Sequence, residues 1–295
     1  MIHRIARTYP LLNGLGRIAN APLVRQWIDS RNGDRLSGRL TNGATFLAPS
    51  ADHVSRAAWL FGDLDPKLTL LAKLLIREGD HVVDIGAHFG LFSLQVARMV
   101  GPTGRVDAVE PQPAMAAFLK TSRAMNGWCH LHVHETALGT RNAVGMLSVP
   151  LGNSGAASLI RRGISDTRLP IMIERSGSFL SELDGGHIRF MKMDTEGSES
   201  DIVRGGLSFF RRHRPDVIFF EAQDHRRYDD NAAVALLTEC GYSCFPVLPS
   251  MRKLRLASPD YTGSLEGVHD ILAIATGIVG RDIRKTLVAA GVRFI

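Results

Sequence analysis

Apolar residues recur at helical spacing over residues 66–77 (PKLTLLAKLLIR), and Pro66 suits the first turn of that helix. From Asp80 onward the pattern changes to short apolar runs alternating with helical segments. The runs cover 81–85, 105–110, 131–137, 190–194 and 216–221, and helical periodicity fills 91–100, 113–126, about 200–210 and 231–240. Two further runs, at 242–246 and 269–275, have no helix-length connection and are expected to pair antiparallel. Such alternation predicts an α/β, Rossmann-like fold: a mostly parallel seven-stranded sheet with helices on both faces and an antiparallel C-terminal strand pair.

Three segments depart from this rhythm. Residues 39–48 read as a hairpin, because Asn42-Gly43 is a favoured turn pair. Residues 142–170, rich in Gly, Ser and Arg, lack a helical period and read as an insertion above the sheet edge, a place for substrate loops. Residues 1–27 mix apolar residues with Arg4, Arg7, Arg17 and Arg25. Breaks at Pro10, Gly14 and Pro22 favour a loosely helical extension over a membrane-surface helix. The expected division is an N-terminal extension and hairpin (1–65), the main domain (66–280) and a C-terminal tail (281–295).

Composition narrows the function classes. The net charge of +6 is not gathered into any run of five like charges, so no nucleic-acid arm is expected. No apolar run approaches the roughly 20 residues that span a bilayer, so no transmembrane segment is expected. The N-terminus also lacks the apolar core of a signal peptide. Cys129, Cys240 and Cys244 form no CxxC pair, and their odd number fits a reducing, cytoplasmic setting. His130, His132 and His134 alternate along one run. Without a matching carboxylate or cysteine nearby in sequence they read as one side of an edge strand, and no metal ligands are assigned. The basic cluster Arg211, Arg212, His213 and Arg214 reads as a helix C-terminus.

The sharpest local pattern is Asp84-Ile85-Gly86-Ala87-His88-Phe89-Gly90, at a strand-to-helix turn. Gly86 permits a sharp turn and close approach to a ligand, which any side chain there is expected to crowd. Gly90 permits tight passage into the next helix. Glu110, 24 residues after Gly86, ends the second strand and precedes Pro111. A carboxylate there can accept from both ribose hydroxyls of a nucleoside cofactor. His88 stands where a dinucleotide fingerprint has its second glycine and would obstruct a diphosphate. S-adenosylmethionine has no diphosphate. Asp84, Gly86, Ala87, His88, Gly90, Glu110 and Pro111 are therefore the expected cofactor residues.

Residues 190–199 (FMKMDTEGSE) end an apolar run in three acids, Asp194, Glu196 and Glu199, and Glu221 ends the next run on the same rim. Clustered carboxylates raise one another's pKa and suit acid–base work or a cation. Asp194 and Glu196 are the expected catalytic pair. Glu199 divides evenly between that role and decoration of a helix's first turn, where negative charge is favoured. His88 and His225 are weaker candidates for the base.

These segments together resemble the FkbM family of S-adenosylmethionine-dependent methyltransferases, over about residues 42–275. The resemblance rests on VVDIGAHFGLFS (82–93), VEPQP (109–113), Asn126, ALG (137–139), NSGAAS (153–158), FMKMDTEGSE (190–199), Gly205 and RPDVIFFE (214–221). It implies contact of Gly86 and Glu110 with the cofactor, placement of Asp194 near the reactive end, and methylation of a hydroxyl on a small molecule, sugar or glycan. Three positions depart from the family pattern: His88 for a common Asn, Thr195 for an aliphatic residue, and Asp65 for a frequent Glu. The alternatives are an NAD-dependent oxidoreductase, disfavoured by the broken glycine fingerprint, and a non-catalytic nucleoside-binding module. A homo-oligomer is compatible with the sequence. A nucleic-acid substrate is not expected, because Asp194-Thr195-Glu196-Gly197 replaces the Asn-Pro-Pro-Tyr-like segment typical of base-amine methylation.

Overall fold

The computed structural model describes residues 15–160, 163, 164, 166–222, 231–248, 253–259, 261 and 268–295. His225 and residues 1–14 of the expected N-terminal extension lie outside them. Helices α1 (Leu15–Ala19) and α2 (Pro22–Asp29) lead into a hairpin of β1 (Arg35–Arg39) and β2 (Thr45–Pro49), then into α3 (His53–Phe61) and α4 (Pro66–Leu75). The alternating part runs β3 (His81–Ile85), α5 (Leu91–Val100), β4 (Arg105–Val109), α6 (Pro113–Asn126) and β5 (Leu131–His134). Next come β6 (Ala137–Gly139), β7 (Ala143–Val149), β8 (Thr167–Arg175), α7 (Ser176–Ser181) and β9 (Ile188–Met193). The chain continues with α8 (Glu199–Gly205), α9 (Leu207–Arg212), β10 (Val217–Glu221), α10 (Ala232–Glu239), β11 (Tyr242–Leu248), β12 (Arg255–Leu256), β13 (Asp270–Ala275), α11 (Ile278–Ala289) and β14 (Arg293–Phe294).

The main sheet has the order β14-β12-β11-β13-β10-β9-β3-β4-β5. Its centre, β10-β9-β3-β4-β5, is parallel, while β13 runs antiparallel to both β10 and β11. The two outermost strands are two residues each, so the body is the expected seven-stranded sheet. Side-chain alternation splits each central strand between two cores. Val217 and Phe219 of β10 join one apolar cluster with α4, α5, α6 and α11, and Ile218 and Phe220 join the other with α7 to α10. The strand order reverses between β3 and β9, so the loops after their carboxyl ends open a crevice there.

The hairpin belongs to the first core. Phe46 is fully buried, and Asn126 grips Thr45 through both backbone groups, accepting from its N–H (2.9 Å) and donating to its carbonyl (2.6 Å). Asn42 makes the turn, accepting from Ala44 N (2.9 Å) while Gly43 takes a left-handed φ of 87°.

Several elements differ from expectation. Residues 142–170 contain β7 and the start of β8, which with β6 form a separate sheet of order β6-β8-β7. The apolar run at 131–137 is divided: β5 ends at His134, and Ala137 already belongs to this second sheet. The helix expected at 200–210 is two helices that meet at Gly206. Residues 281–295 carry most of α11 and all of β14, which pairs parallel to β12. Among the three alternating histidines, His134 Nε2 meets Asp107 Oδ1 at 2.8 Å and His130 Nε2 meets the Ala97 carbonyl at 2.9 Å, which accounts for both structurally. None of Cys129, Cys240 and Cys244 is in a disulfide. Among the described residues no helix is long and apolar enough to cross a membrane.

Candidate active site

The loop after β3 is shaped by its glycines. Gly86 has φ of 80°, and a Cβ there would lie 1.9 Å from the Asp194 carbonyl oxygen. The nearest obstacle to a side chain is thus the backbone after β9, ahead of any ligand. The amides of Gly86 and Ala87 both donate to the Val109 carbonyl (2.9 and 3.0 Å), which ties the loop to β4. Gly90, with φ of 96°, leaves room for Leu119, whose Cδ1 would lie 2.1 Å from an added Cβ. His88 also sits in the left-handed region, with φ of 54°. Histidine and asparagine are both enriched there, which explains how His88 replaces the Asn common in this position.

His88 N donates to Glu110 Oε2 (2.7 Å), and Gln112 N donates to Glu110 Oε1 (2.8 Å). Glu110 is therefore fixed with both oxygens engaged on one side and lone pairs to spare. Burial pushes its carboxyl up to about 7, against the pull of those two amides. Asp84, by contrast, does not face the crevice. It is fully buried, accepting from Ser93 Oγ (2.5 Å) and Lys192 Nζ (3.2 Å). Ala87 and Gly90 likewise line neither of the cavities below. These three residues shape the loop and line neither cavity.

Two confluent cavities open at the strand ends. One encloses about 550 Å³ and is bordered by Glu110, Pro111, Gln112 and residues 136–138. The other encloses about 1190 Å³ and has an apolar floor of Leu91, Phe92 and Phe219 beneath a rim of carboxylates. Gly86, His88, Gly155, Asp194 and Glu196 border both.

Asp194, Glu196 and Glu221 meet on that rim, each offering a carboxylate oxygen within 4.8 Å of the others. Asp194 is about half exposed and paired with Lys192 (3.3 Å). Burial works against the Lys192 charge, but Asp84 and Asp194 outweigh it and raise its pKa. Glu199 is turned inward, accepting from Thr195 N (2.8 Å), Thr195 Oγ1 (2.9 Å) and Gly197 N (3.4 Å). It braces the loop and does not join the acidic cluster, and its bond to Thr195 Oγ1 explains a hydroxyl where aliphatic residues are usual. On the far wall Asp65 caps α4, accepting from Lys67 N (3.1 Å) and Leu68 N (3.3 Å). Burial pushes Asp65 up to about 7, opposed by Lys67 and reinforced by Asp270 and Asp63. Lys67 is itself ion-paired with Asp270.

Four residues at the site were not among those expected: Asp52, Gln112, Ser154 and Lys192. Gln112 falls inside VEPQP, Ser154 inside NSGAAS and Lys192 inside FMKMDTEGSE, but nothing local marks any of them as a contact of the β3 loop or of Asp52.

A family model for the methyltransferase FkbM domain matches residues 84–244. The chain belongs to the FkbM methyltransferase family. Its cofactor is accordingly S-adenosylmethionine, and it is a methyltransferase. Solved structures with a similar course include a methyltransferase FkbM from Methylobacillus flagellatus KT, at 16% identity, 76% of this chain, 65% of that one and a TM-score of 0.41. An S-adenosylmethionine-dependent O-methyltransferase from Thermotoga maritima matches at 14% identity, 72% and 66% coverage and a TM-score of 0.40. Aeropyrum pernix fibrillarin with natively bound S-adenosylmethionine matches at 14% identity, 67% of each chain and a TM-score of 0.39. No curated protein sequence matches this chain. The residues present suit the family's cofactor. Glu110 retains lone pairs for ribose hydroxyls, Gly86 lets the loop pass close against the Asp194 carbonyl at the border of both cavities, and His88 Nδ1 is a buried polar atom without a hydrogen-bond partner among the described residues.

Proposed function

We propose that this methyltransferase acts on a hydroxyl oxygen of a small molecule, sugar or glycan, with Asp194 and Glu196 as its catalytic acids. The observation that carries this reading is the position of both residues on the border shared by the cavity beside Glu110 and the larger acid-rimmed one. Bound S-adenosylmethionine supplies a methyl group already activated on a sulfonium. Gly86, His88, Glu110 and Pro111 hold it, with Glu110 accepting from the ribose. The protein's remaining task is to aim the acceptor and remove its proton. Asp194 accepts a hydrogen bond from the acceptor hydroxyl, orients the oxygen lone pair, and takes the proton as the oxygen gains its methyl. A carboxylate suffices as base because the proton is lost from a strongly acidic, oxonium-like oxygen. Glu196 holds a neighbouring hydroxyl, a role suited to polyhydroxylated acceptors.

The Asp194-Thr195-Glu196-Gly197 loop offers acids where base-amine methylation needs amide and aromatic groups, which disfavours a nucleic-acid substrate. Three cysteines outside any disulfide are consistent with a reducing, cytoplasmic location. The test is incubation with S-adenosylmethionine carrying a ¹³C methyl, together with nucleotide sugars, free glycans and hydroxylated metabolites, followed by NMR of the labelled product. A methyl ether carbon is expected. Label on nitrogen or carbon would overturn the reading.

A further inference from the structure

Residues 153–158 form a wall common to both cavities, and the bonds that hold this segment converge on Ser154. Its amide and its hydroxyl both reach Asp52 Oδ1 (3.1 and 2.7 Å). Its Oγ lies 2.8 Å from His88 Nε2. Its carbonyl accepts from Gln112 Nε2 (3.0 Å). At the other end of the segment Ser158 Oγ donates to the Glu196 carbonyl (2.8 Å). Asp52 is buried at the N-cap of α3, with its second oxygen taken by Ser55 N (3.0 Å) and Ser55 Oγ (3.1 Å).

Proton counting fixes the histidine. Four donors converge on Asp52, the N–H and Oγ of both Ser55 and Ser154, so it is a carboxylate that only accepts. Ser154 has one hydroxyl proton, and the 2.7 Å bond directs it to Asp52. Ser154 Oγ must then accept from His88, which requires the proton on Nε2. Burial lowers the pKa of His88, so the ring holds that single proton and Nδ1 is left as a bare lone pair.

We propose that Ser154, anchored by Asp52, is a positioning residue for the cofactor: it latches residues 153–158 onto the β3 loop and fixes His88 as its Nε2–H tautomer, presenting Nδ1 to a donor of the bound cofactor. The chain Asp52–Ser154–His88 joins α3, the insertion and the cofactor loop, three parts separated by 36 and 66 positions in sequence. It continues through His88 N to Glu110, so one string of bonds runs from the insertion to the ribose-binding carboxylate.

This inference rests on the cofactor and not on the acceptor, so its failure leaves the O-methylation reading untouched. The experiment uses the full chain labelled with ¹⁵N-histidine, with and without S-adenosylhomocysteine, and stopped-flow measurement of S-adenosylhomocysteine release. Wild type is expected to show an unprotonated Nδ1 and a protonated Nε2 at pH 7, with the Nδ1 resonance moving on ligand binding. Ser154→Ala is expected to lose the fixed tautomer and release ligand about tenfold faster, the scale of one net hydrogen bond. Ser154→Thr keeps the hydroxyl and is expected to restore both. Asp52→Asn keeps the helix cap, loses the anion and should shift both readouts in the same direction as Ser154→Ala. A proton on Nδ1, or an Nδ1 resonance indifferent to ligand, would overturn the proposal. So would unchanged release from both folded Ser154→Ala and Asp52→Asn.

Discussion

With Glu110 as the proposed acceptor for the ribose, cofactor binding should depend on pH. Its carboxyl is buried at 3% exposure and pushed up from 4.5 to about 7, chiefly by burial. At about 1.36 kcal/mol per pH unit this corresponds to about 3 kcal/mol against the ionised form. The sign follows from proton counts. Between pH 4.5 and 7 the folded protein holds a proton that the unfolded chain has released, so this group lowers folding stability as pH rises through that window. Ribose hydroxyls need the carboxylate, so binding in that window expels the proton, and affinity should climb up to tenfold per pH unit until about pH 7 and then level off. Calorimetry of S-adenosylhomocysteine binding in two buffers of different ionisation enthalpy should give about one proton released at pH 6 and almost none at pH 8. Glu110→Ala removes this acceptor and strands the amides of His88 and Gln112, so affinity should fall by about 3 kcal/mol, over a hundredfold. A pH-independent affinity between pH 5.5 and 8, or an unchanged affinity in Glu110→Ala, would refute the assignment.

Gly86→Ala should destabilise the fold as well as the site. A left-handed φ costs a Cβ about 1–2 kcal/mol, and relief of the 1.9 Å overlap with the Asp194 carbonyl adds to that; a denaturant midpoint equal to wild type would count against this geometry. Lys192→Met leaves Asp84 charged and buried with only Ser93 as a side-chain partner, so stability should fall by about 3–5 kcal/mol. An unchanged thermal midpoint would mean that Asp84 is stabilised otherwise. Chelation by EDTA should leave methyl transfer unaffected, because Lys192 already sets a positive charge beside Asp194; a loss restored by Mg²⁺ would instead assign a cation to Asp194, Glu196 and Glu221.

The fold was legible where one rule acted alone. Period-2 and period-3.6 patterns located the central strands and helices, because each central strand feeds a core on both faces of the sheet. Residues 142–170 were not legible as strands, since β7 and β8 leave Val144, Met146 and Met172 exposed and so lack a steady inside–outside alternation. The meeting of the β3 loop with Glu110 was legible because both lie at strand ends along one stretch of chain. The ion pair of Asp84 was not legible, because its partner Lys192 comes from β9, 108 positions away, and local pattern showed only an acid at a strand tip. Glu199 was ambiguous for the same cause, its role being decided by how the loop folds back on Thr195. Asp52 and Ser154 are 102 positions apart, and only the fold brings them to His88.

Methyl transfer by Asp194→Asn, compared with wild type on the identified acceptor, tests the site most directly. The substitution keeps the shape and removes the carboxylate at the junction of the two cavities. Turnover should fall by roughly 10²–10⁴, the range for losing acid–base catalysis, while S-adenosylhomocysteine affinity stays within a few-fold. Equal turnover in the two proteins would contradict the account and remove Asp194 from the chemistry.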